Sequence, residues 1–273
     1  TKQVLKRIES SQKILIVPSS PVDGDALGSA LALKRILEKR GKTAIINYSF
    51  DHIQHFKFLP GIEFINIQDV YNSDLTQYEA SIFLDGGNLV QFYDSAVHTE
   101  KWVLPKDNHV VNIDHHPTNE GFAKLTLRRL DVSSTAEIIY DLFKDLVEFD
   151  SEICFNLLVG ISTDTGNFRY SNSTPNTLRI AADLVEKGAD LPKVALNLYY
   201  TTSEKVIKFV AYLCQKIIIN KEYRYGFFTV AHKEWKDFGL EYADYREAYY
   251  RALESNLKLI EDIDFAFDIS EKE

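Results

Sequence analysis

Four apolar segments, widely separated along this 273-residue chain, each run into aspartate. Residues 13–19 (KILIVPS) lead to Asp23-Gly24-Asp25, and residues 80–86 (ASIFLDG) close on Asp85. Residues 109–115 (HVVNIDH) close on Asp114-His115-His116, and the segment 151–162 runs into Asp164-Thr165-Gly166. The first three are short, unbroken and rich in β-branched residues, which suits strands buried on both faces, as in a parallel sheet. In such a sheet, ligands gather beyond the carboxyl ends of the strands. The shared ending therefore constrains the fold and the position of a site together.

Two further runs, TAIINYS (43–49) and FINI (64–67), read as strands. Helices are predicted over 25–40, where Leu27, Leu31, Leu33 and Leu37 recur at near-helical spacing, and over 134–140, 151–162 and 175–187. Ser134 and Glu137 are placed as a capping box, and Gly188 suits a helix end. Residues 1–190 are thus expected to form an α/β domain, a mostly parallel sheet with helices on both faces. Beyond Gly188 the pattern changes. Residues 192–219 read as helix opened by Pro192, 223–232 as strand, 242–259 as helix and 264–270 as strand. That predicts a smaller, incomplete α/β domain over 191–273.

Composition narrows the function classes. With 45% hydrophobic and 26% charged residues, the chain has the usual globular mix, and no apolar run approaches the roughly 20 residues that span a bilayer. The charged opening TKQVLKRIESSQK lacks the apolar stretch of a secretory signal, so a cytoplasmic protein with no membrane partner is expected. Cys154 and Cys214 lie in apolar helical patterns, without disulfide or zinc spacing. A net charge of −9 argues against coating duplex nucleic acid, so a small anionic substrate would need a local cationic device. Tyr199, Tyr200, Tyr245, Tyr249 and Tyr250 could stack on bases, but at helical spacing they suit core or subunit contacts better, which leaves a homodimer open.

Five carboxylates (Asp23, Asp25, Asp85, Asp114, Asp164) and two imidazoles (His115, His116) at element ends would raise one another's acid pKa values steeply if they met. Divalent cations would relieve that conflict. Each group alone has a local reading: D-G-D as a turn, Asp85 as a helix cap, Asp164-Thr165-Gly166 as a loop. Their joint occurrence is what singles them out.

The stretches D-G-D-A-L-G-S (Asp23 to Ser29), Asp85, N-I-D-H-H-P (Asn112 to Pro117) and G-I-S-T-D-T-G-N-F-R-Y (Gly160 to Tyr170) resemble, in order, the motifs of the DHH phosphoesterase family. Phe168-Arg169-Tyr170 is similar to its oligoribonuclease and phosphoadenosine-phosphate phosphatase branch. The resemblance implies two divalent ions, manganese above all. Asp85 would bridge, Asp23 would serve one ion, and Asp25, His115 and Asp164 the other. Asp114 would orient a histidine, while His116 and Arg169 would face the substrate phosphate. It also implies a DHH phosphoesterase domain over 1–190 and part of a DHH-associated domain over 191–273.

Two departures accompany the resemblance. The family pattern places a metal-binding histidine four residues before the first Asp, where this chain has Ser19; that ion would then keep only Asp23, the shared Asp85 and water or substrate, the alternative being a ligand from His52, His55 or His109, among which no spacing selects. The glycine-rich G-G-G-H stretch of the associated domain does not occur before Glu273. The implied function is hydrolysis of a small phosphate ester, such as a short oligoribonucleotide or nucleoside bisphosphate, by a metal-activated water. The alternatives are a nucleotide- or polyphosphate-binding module without turnover and an enzyme like inorganic pyrophosphatase.

Overall fold

In the computed structural model the apolar runs become strands β1 (Lys13–Pro18), β2 (Thr43–Tyr48), β3 (Ile65–Ile67), β4 (Ala80–Leu84) and β5 (Val110–Asp114). The short amphipathic LTLR adds an edge strand, β6 (Leu125–Arg128). Residues 1–50, 53–100, 102–105, 109–254 and 256–271 are described. The six strands form one wholly parallel sheet in the order β3-β2-β1-β4-β5-β6. The chain winds outward from β1 in one direction and then returns to β4 on the other side of β1. Connections on either side of this switch leave on opposite faces, so a crevice opens beyond the carboxyl ends of β1 and β4.

Helices α1 (Lys2–Ser10), α2 (Gly24–Lys39), α3 (Thr135–Phe143), α4 (Ser151–Asp164), α5 (Pro175–Glu186) and α6 (Leu191–Ala195) accompany this sheet. One core joins Ile14, Ile16 and Ile82 of the sheet to Leu27, Leu33 and Ile36 of α2 and to Leu157, Leu158 and Ile161 of α4. On the other face, Leu15, Val17 and Phe83 pack beneath Phe92, Tyr93 and Trp102 from the loops. The helix α1, unanticipated from its charged sequence, buries Val4 and Ile8, one turn apart on a single stripe.

Helices α2 and α4 approach closely enough for their backbones to touch. A Cβ added at Gly28 would lie 2.3 Å from the Asn156 carbonyl oxygen, and one at Gly160 would lie 2.7 Å from Asp25 Oδ1. This contact brings the start of α2, with Asp23 and Asp25, beside the end of α4, with Asp164.

The chain divides into two compact units, Thr1–Tyr199 and Tyr200–Glu273. The second holds α7 (Glu204–Gln215), β7 (Ile218–Asn220), β8 (Tyr225–Val230), α8 (His232–Asp237), α9 (Tyr242–Glu254) and β9 (Phe265–Ser270). Here β7 runs antiparallel and β9 parallel to β8. Val206, Phe209 and Leu213 of α7 pack with Ala248 and Ala252 of α9 and Phe228 of β8. Alternate residues of β8 and β9 form an aromatic ladder on the other face, where Phe227 and Phe267 stack at 5.2 Å. The continuous helix expected over 192–219 is broken. Ser203 caps a new helix by accepting from Val206 N–H, and the β-branched Ile218-Ile219 pair joins the sheet instead. The helix expected to reach 259 gives way after Glu254, and a 3-10 turn forms at Leu257–Leu259.

Both cysteines are free, and among the described residues no helix is long and apolar enough to cross a membrane. The α2–α4 contact yields a first prediction. Gly28→Ala forces a methyl against a backbone oxygen that cannot rotate away, so unfolding stability should fall by about 1–3 kcal/mol, as overpacking does. Denaturant titration checks this; an unchanged midpoint would show that the helices separate without cost.

Candidate metal centre

The crevice at the sheet's switch point is lined by acids that the backbone holds in place. Asp23 is the N-cap of α2: its Oδ1 accepts from Asp25 N–H at 3.0 Å and Ala26 N–H at 2.9 Å. Asp25, fully buried in the first turn, reaches a different helix. Its Oδ2 accepts from Thr135 N–H at 2.6 Å, and its Oδ1 from Ala136 N–H at 2.8 Å and the Ser29 hydroxyl at 3.1 Å. A carboxylate thus answers the orphan amides and positive dipole end of α3.

Asp85 follows β4 directly and is also buried. Its φ of 62° lies in the left-handed region, uncommon for any residue but glycine, although Asp tolerates it better than most. Its N–H is held by Ile113 O at 3.0 Å, and its Oδ1 accepts from the Thr135 hydroxyl at 2.9 Å. Such local strain persists where the surroundings over-determine it.

Beyond β5, the two histidines diverge. His115 Nε2 lies 2.9 Å from Asp164 Oδ2, 3.5 Å from Asp85 Oδ1 and 4.0 Å from Asp25 Oδ2. Yet this buried nitrogen is aligned for a hydrogen bond with none of them. His116 turns its Nδ1 to Asp114 Oδ1 at 2.7 Å, while Asp114 Oδ2 accepts from Asn119 Nδ2 at 2.5 Å. Asn119 also bonds Asn112 Oδ1 at 2.8 Å, so a buried polar chain fixes the imidazole of His116 and directs its other nitrogen elsewhere.

Among the described residues, two groups have donor atoms close enough to share one ion: Asp25, His115 and Asp164, and Asp85, His115 and His116. His116, read from the sequence as a substrate contact, therefore also lies within ligand reach. Asp23 belongs to neither group, nor do His55 and His109; His52 lies outside the described residues. Arg169 follows three successive left-handed residues, Gly166, Asn167 and Phe168, and donates its Nε–H to Gly166 O at 2.7 Å. Thr135, Asn119 and Asn112 had not been singled out from the sequence. Thr135 sits inside a capping-box pattern that explains it locally, and no spacing links it to Asp25, 110 residues earlier.

The electrostatics follow from crowding. Burial, with repulsion from Asp164 and Asp25, pushes Asp23 up to about 7. Burial and Asp164 push Asp25 up to about 6, against the pull of His115 and the α3 amides. Asp85 is raised well above the ordinary range, first by burial and then by Asp25 and Asp23. Burial disfavours a charged His115, but Asp164, Asp25 and Asp114 outweigh it, and its pKa rises to about 9. Burial likewise works against the Asp114 carboxylate, but His116 and Asn119 hold its pKa below the usual value.

The donor set suits a hard or borderline divalent cation, being carboxylate oxygens with an imidazole nitrogen. The 2.9 Å gap between His115 Nε2 and Asp164 Oδ2 is short enough for both atoms to share one ion. The unbonded buried nitrogen is the atom such an ion would satisfy.

Comparisons with known proteins bear on the same segments. The sequence model of the DHH family, N-terminal domain, matches residues 13–161. The bifunctional oligoribonuclease and PAP phosphatase NrnA of Thermus thermophilus is 35% identical over 199 residues, 72% of this chain and 56% of that protein. The Bacillus subtilis protein of the same description is 24% identical over 166 residues, 59% of this chain and 50% of that protein. The chain thus spans about half the length of each of these relatives. The crystal structure of an exopolyphosphatase-related protein from Bacteroides fragilis superposes with a TM-score of 0.85 at 22% identity, covering 99% of this chain and 79% of that one, which shows a shared fold.

Raised carboxyl pKa values make the metal-free fold sensitive to pH. Between the ordinary value of 3.8 and the raised values near 6 and 7, folded Asp25 and Asp23 hold protons that the unfolded chain releases. Their contribution to stability is therefore present below about pH 4 and lost as pH rises through 6 to 7. A divalent ion needs those same groups deprotonated, so its binding strengthens over that interval. The rise in Tm on adding manganese to metal-free protein should grow steadily from pH 5 to pH 8 in scanning calorimetry; a flat response would separate these carboxylates from metal binding.

Proposed function

Since the chain belongs to the DHH family, we propose that it is a metal-dependent phosphoesterase that hydrolyses a small phosphate ester. A short oligoribonucleotide or a nucleoside bisphosphate is the favoured substrate. The observation that carries this reading is the convergence of Asp25, Asp85, His115 and Asp164, drawn from four distant parts of the chain, on one crevice. The description of the Thermus and Bacillus relatives as oligoribonuclease and PAP phosphatase supports the substrate class.

In this reading Asp25, His115 and Asp164 hold one divalent ion, manganese in the first instance. Asp85 is shared, and Asp23 serves the second. Two such cations supply a water of lowered pKa and neutralise phosphoryl charge during in-line displacement. The chain's own groups do the rest. Thr135 and the α3 amides hold Asp85 and Asp25 in fixed orientation, so that little reorganisation is needed when charge develops. His116, fixed through Nδ1 by Asp114, presents Nε2 to a phosphoryl or leaving-group oxygen as a proton donor. Arg169, whose Nε is tied to Gly166, keeps its terminal amino groups for a non-bridging oxygen. Residues 1–190 are the catalytic domain in this scheme, and residues 191–273 part of a DHH-associated domain.

A second reading, a phosphate-binding module without turnover, draws on Ser19, a weak ligand where an imidazole would be strong. Release of mononucleotides from a short oligoribonucleotide, or of phosphate from a nucleoside bisphosphate, separates the two. Activity should require manganese and fall to background in Asp85→Ala. A full rate in that variant would remove the catalytic assignment, and binding without release in the parent protein would favour the module.

A further inference from the structure

The helix start that holds Asp25 and Asp85 contains a buried acid of its own. Glu137, in the first turn of α3, is 0% exposed and lies among four donors, all of them uncharged. Its Oε2 accepts from the Ser133 N–H at 3.0 Å, the Ser133 hydroxyl at 2.8 Å and the Thr177 hydroxyl at 2.9 Å, and its Oε1 from Asn176 Nδ2 at 2.9 Å. Of the capping box read from Ser134 and Glu137, only half forms. Ser134 Oγ accepts from Glu137 N–H at 3.2 Å, whereas the Glu137 carboxylate bonds the amide one residue before the cap. It thereby joins Ser133 to Asn176 and Thr177 in the first turn of α5.

Ser133 lies just before the groups that orient the acids of the crevice. Thr135 N–H and Ala136 N–H hold Asp25 at 2.6 and 2.8 Å, and the Thr135 hydroxyl holds Asp85 at 2.9 Å. The Ser133 carbonyl accepts from Asn172 Nδ2 at 3.1 Å, and the same Nδ2 donates to Asp164 O at 3.0 Å. One connected set of hydrogen bonds therefore runs from Glu137 to the segments that carry or hold Asp25, Asp85 and Asp164. These acids repel one another, so the donors that orient them must be fixed in turn. A helix N-terminus has the fewest internal bonds to fix it, and its position depends on outside partners. Without the Glu137 carboxylate, the buried Ser133 N–H and three further donors would lose their acceptor, a loss that the start of α3 would relieve by moving.

We infer that Glu137 is a positioning residue of the metal centre: it fixes the start of α3, and with it Asp25 and Asp85, and through Ser133 and Asn172 it ties that start to the end of α4 that bears Asp164. Its part is geometric, since it joins neither group of converging donors. The inference rests on the metal-dependent reading given above.

Manganese titration of the metal-free protein, followed by the electron paramagnetic resonance of the free ion and set beside the metal-free Tm, tests it. Glu137→Ala should bind manganese about tenfold to a hundredfold more weakly, as when other groups that orient ligands are removed. Glu137→Gln should recover most of that affinity. Its carbonyl takes the three donors of Oε2, and Asn176 turns its own amide oxygen toward the new NH2. Asn172→Ala leaves the bonds of Glu137 in place and cuts the tie to Asp164, so binding should weaken by about tenfold. That variant decides the matter if Glu137→Ala does not fold. A Glu137 that serves the fold alone would lower the Tm of Glu137→Ala and leave manganese affinity at the parent value, which overturns the inference with the metal reading intact. Equal weakening in Glu137→Gln and Glu137→Ala would overturn it too, because loss of charge would then suffice. Unchanged affinity in Asn172→Ala would overturn the tie to α4. Binding of no manganese by the parent protein would end both the inference and the reading beneath it.

Discussion

Like charges brought together in a largely buried crevice need compensation, and the first unit is organised around supplying it. Part comes from the backbone. The amide groups that open α3 point at Asp25, so a helix end that would otherwise lack acceptors and a carboxylate that would otherwise lack donors complete each other. Part comes from His115, which the surrounding acids favour in its charged form when no metal is bound. The imidazolium and a divalent ion are then alternatives in the same space. That makes the centre a place where protons and metal compete, rather than a static cluster of acids.

Geometry at longer range serves the same end. The reversal of strand order at β1 and β4 opens the crevice, and the glycine-mediated contact of α2 with α4 carries Asp25 to Asp164. The carboxylates do not line up because they are close in sequence. They meet because a parallel sheet delivers all its strand ends to one edge, and because two helices lack side chains where they cross.

Much of this was legible in the sequence. Five strands of the large sheet stood out because a run with no polar face can only be interior, and Asp85, Asp114 and Asp164 stood out because each closes such a run or the helix beside it. The edge strand β6 and the helix α1 were not, since a four-residue alternation and a charged nonapeptide carry weak periodic signals. Thr135 and Asn119 were illegible for another reason. Their roles depend on partners met only in three dimensions, and the residue types are common at turns and caps for purely local reasons. Asp23 shows that a local reading and a functional one need not exclude each other: it caps a helix while lying against the other acids.

The left-handed backbone at Asp85 carries an implication for how such a chain would evolve under different pressures. Glycine at that position would relax the main chain and remove a buried acid from its repelling neighbours, two gains for folding obtained by deleting one carboxylate. Selection for heat tolerance alone would therefore favour discarding it, so the role proposed for this aspartate would be held at a cost in robustness.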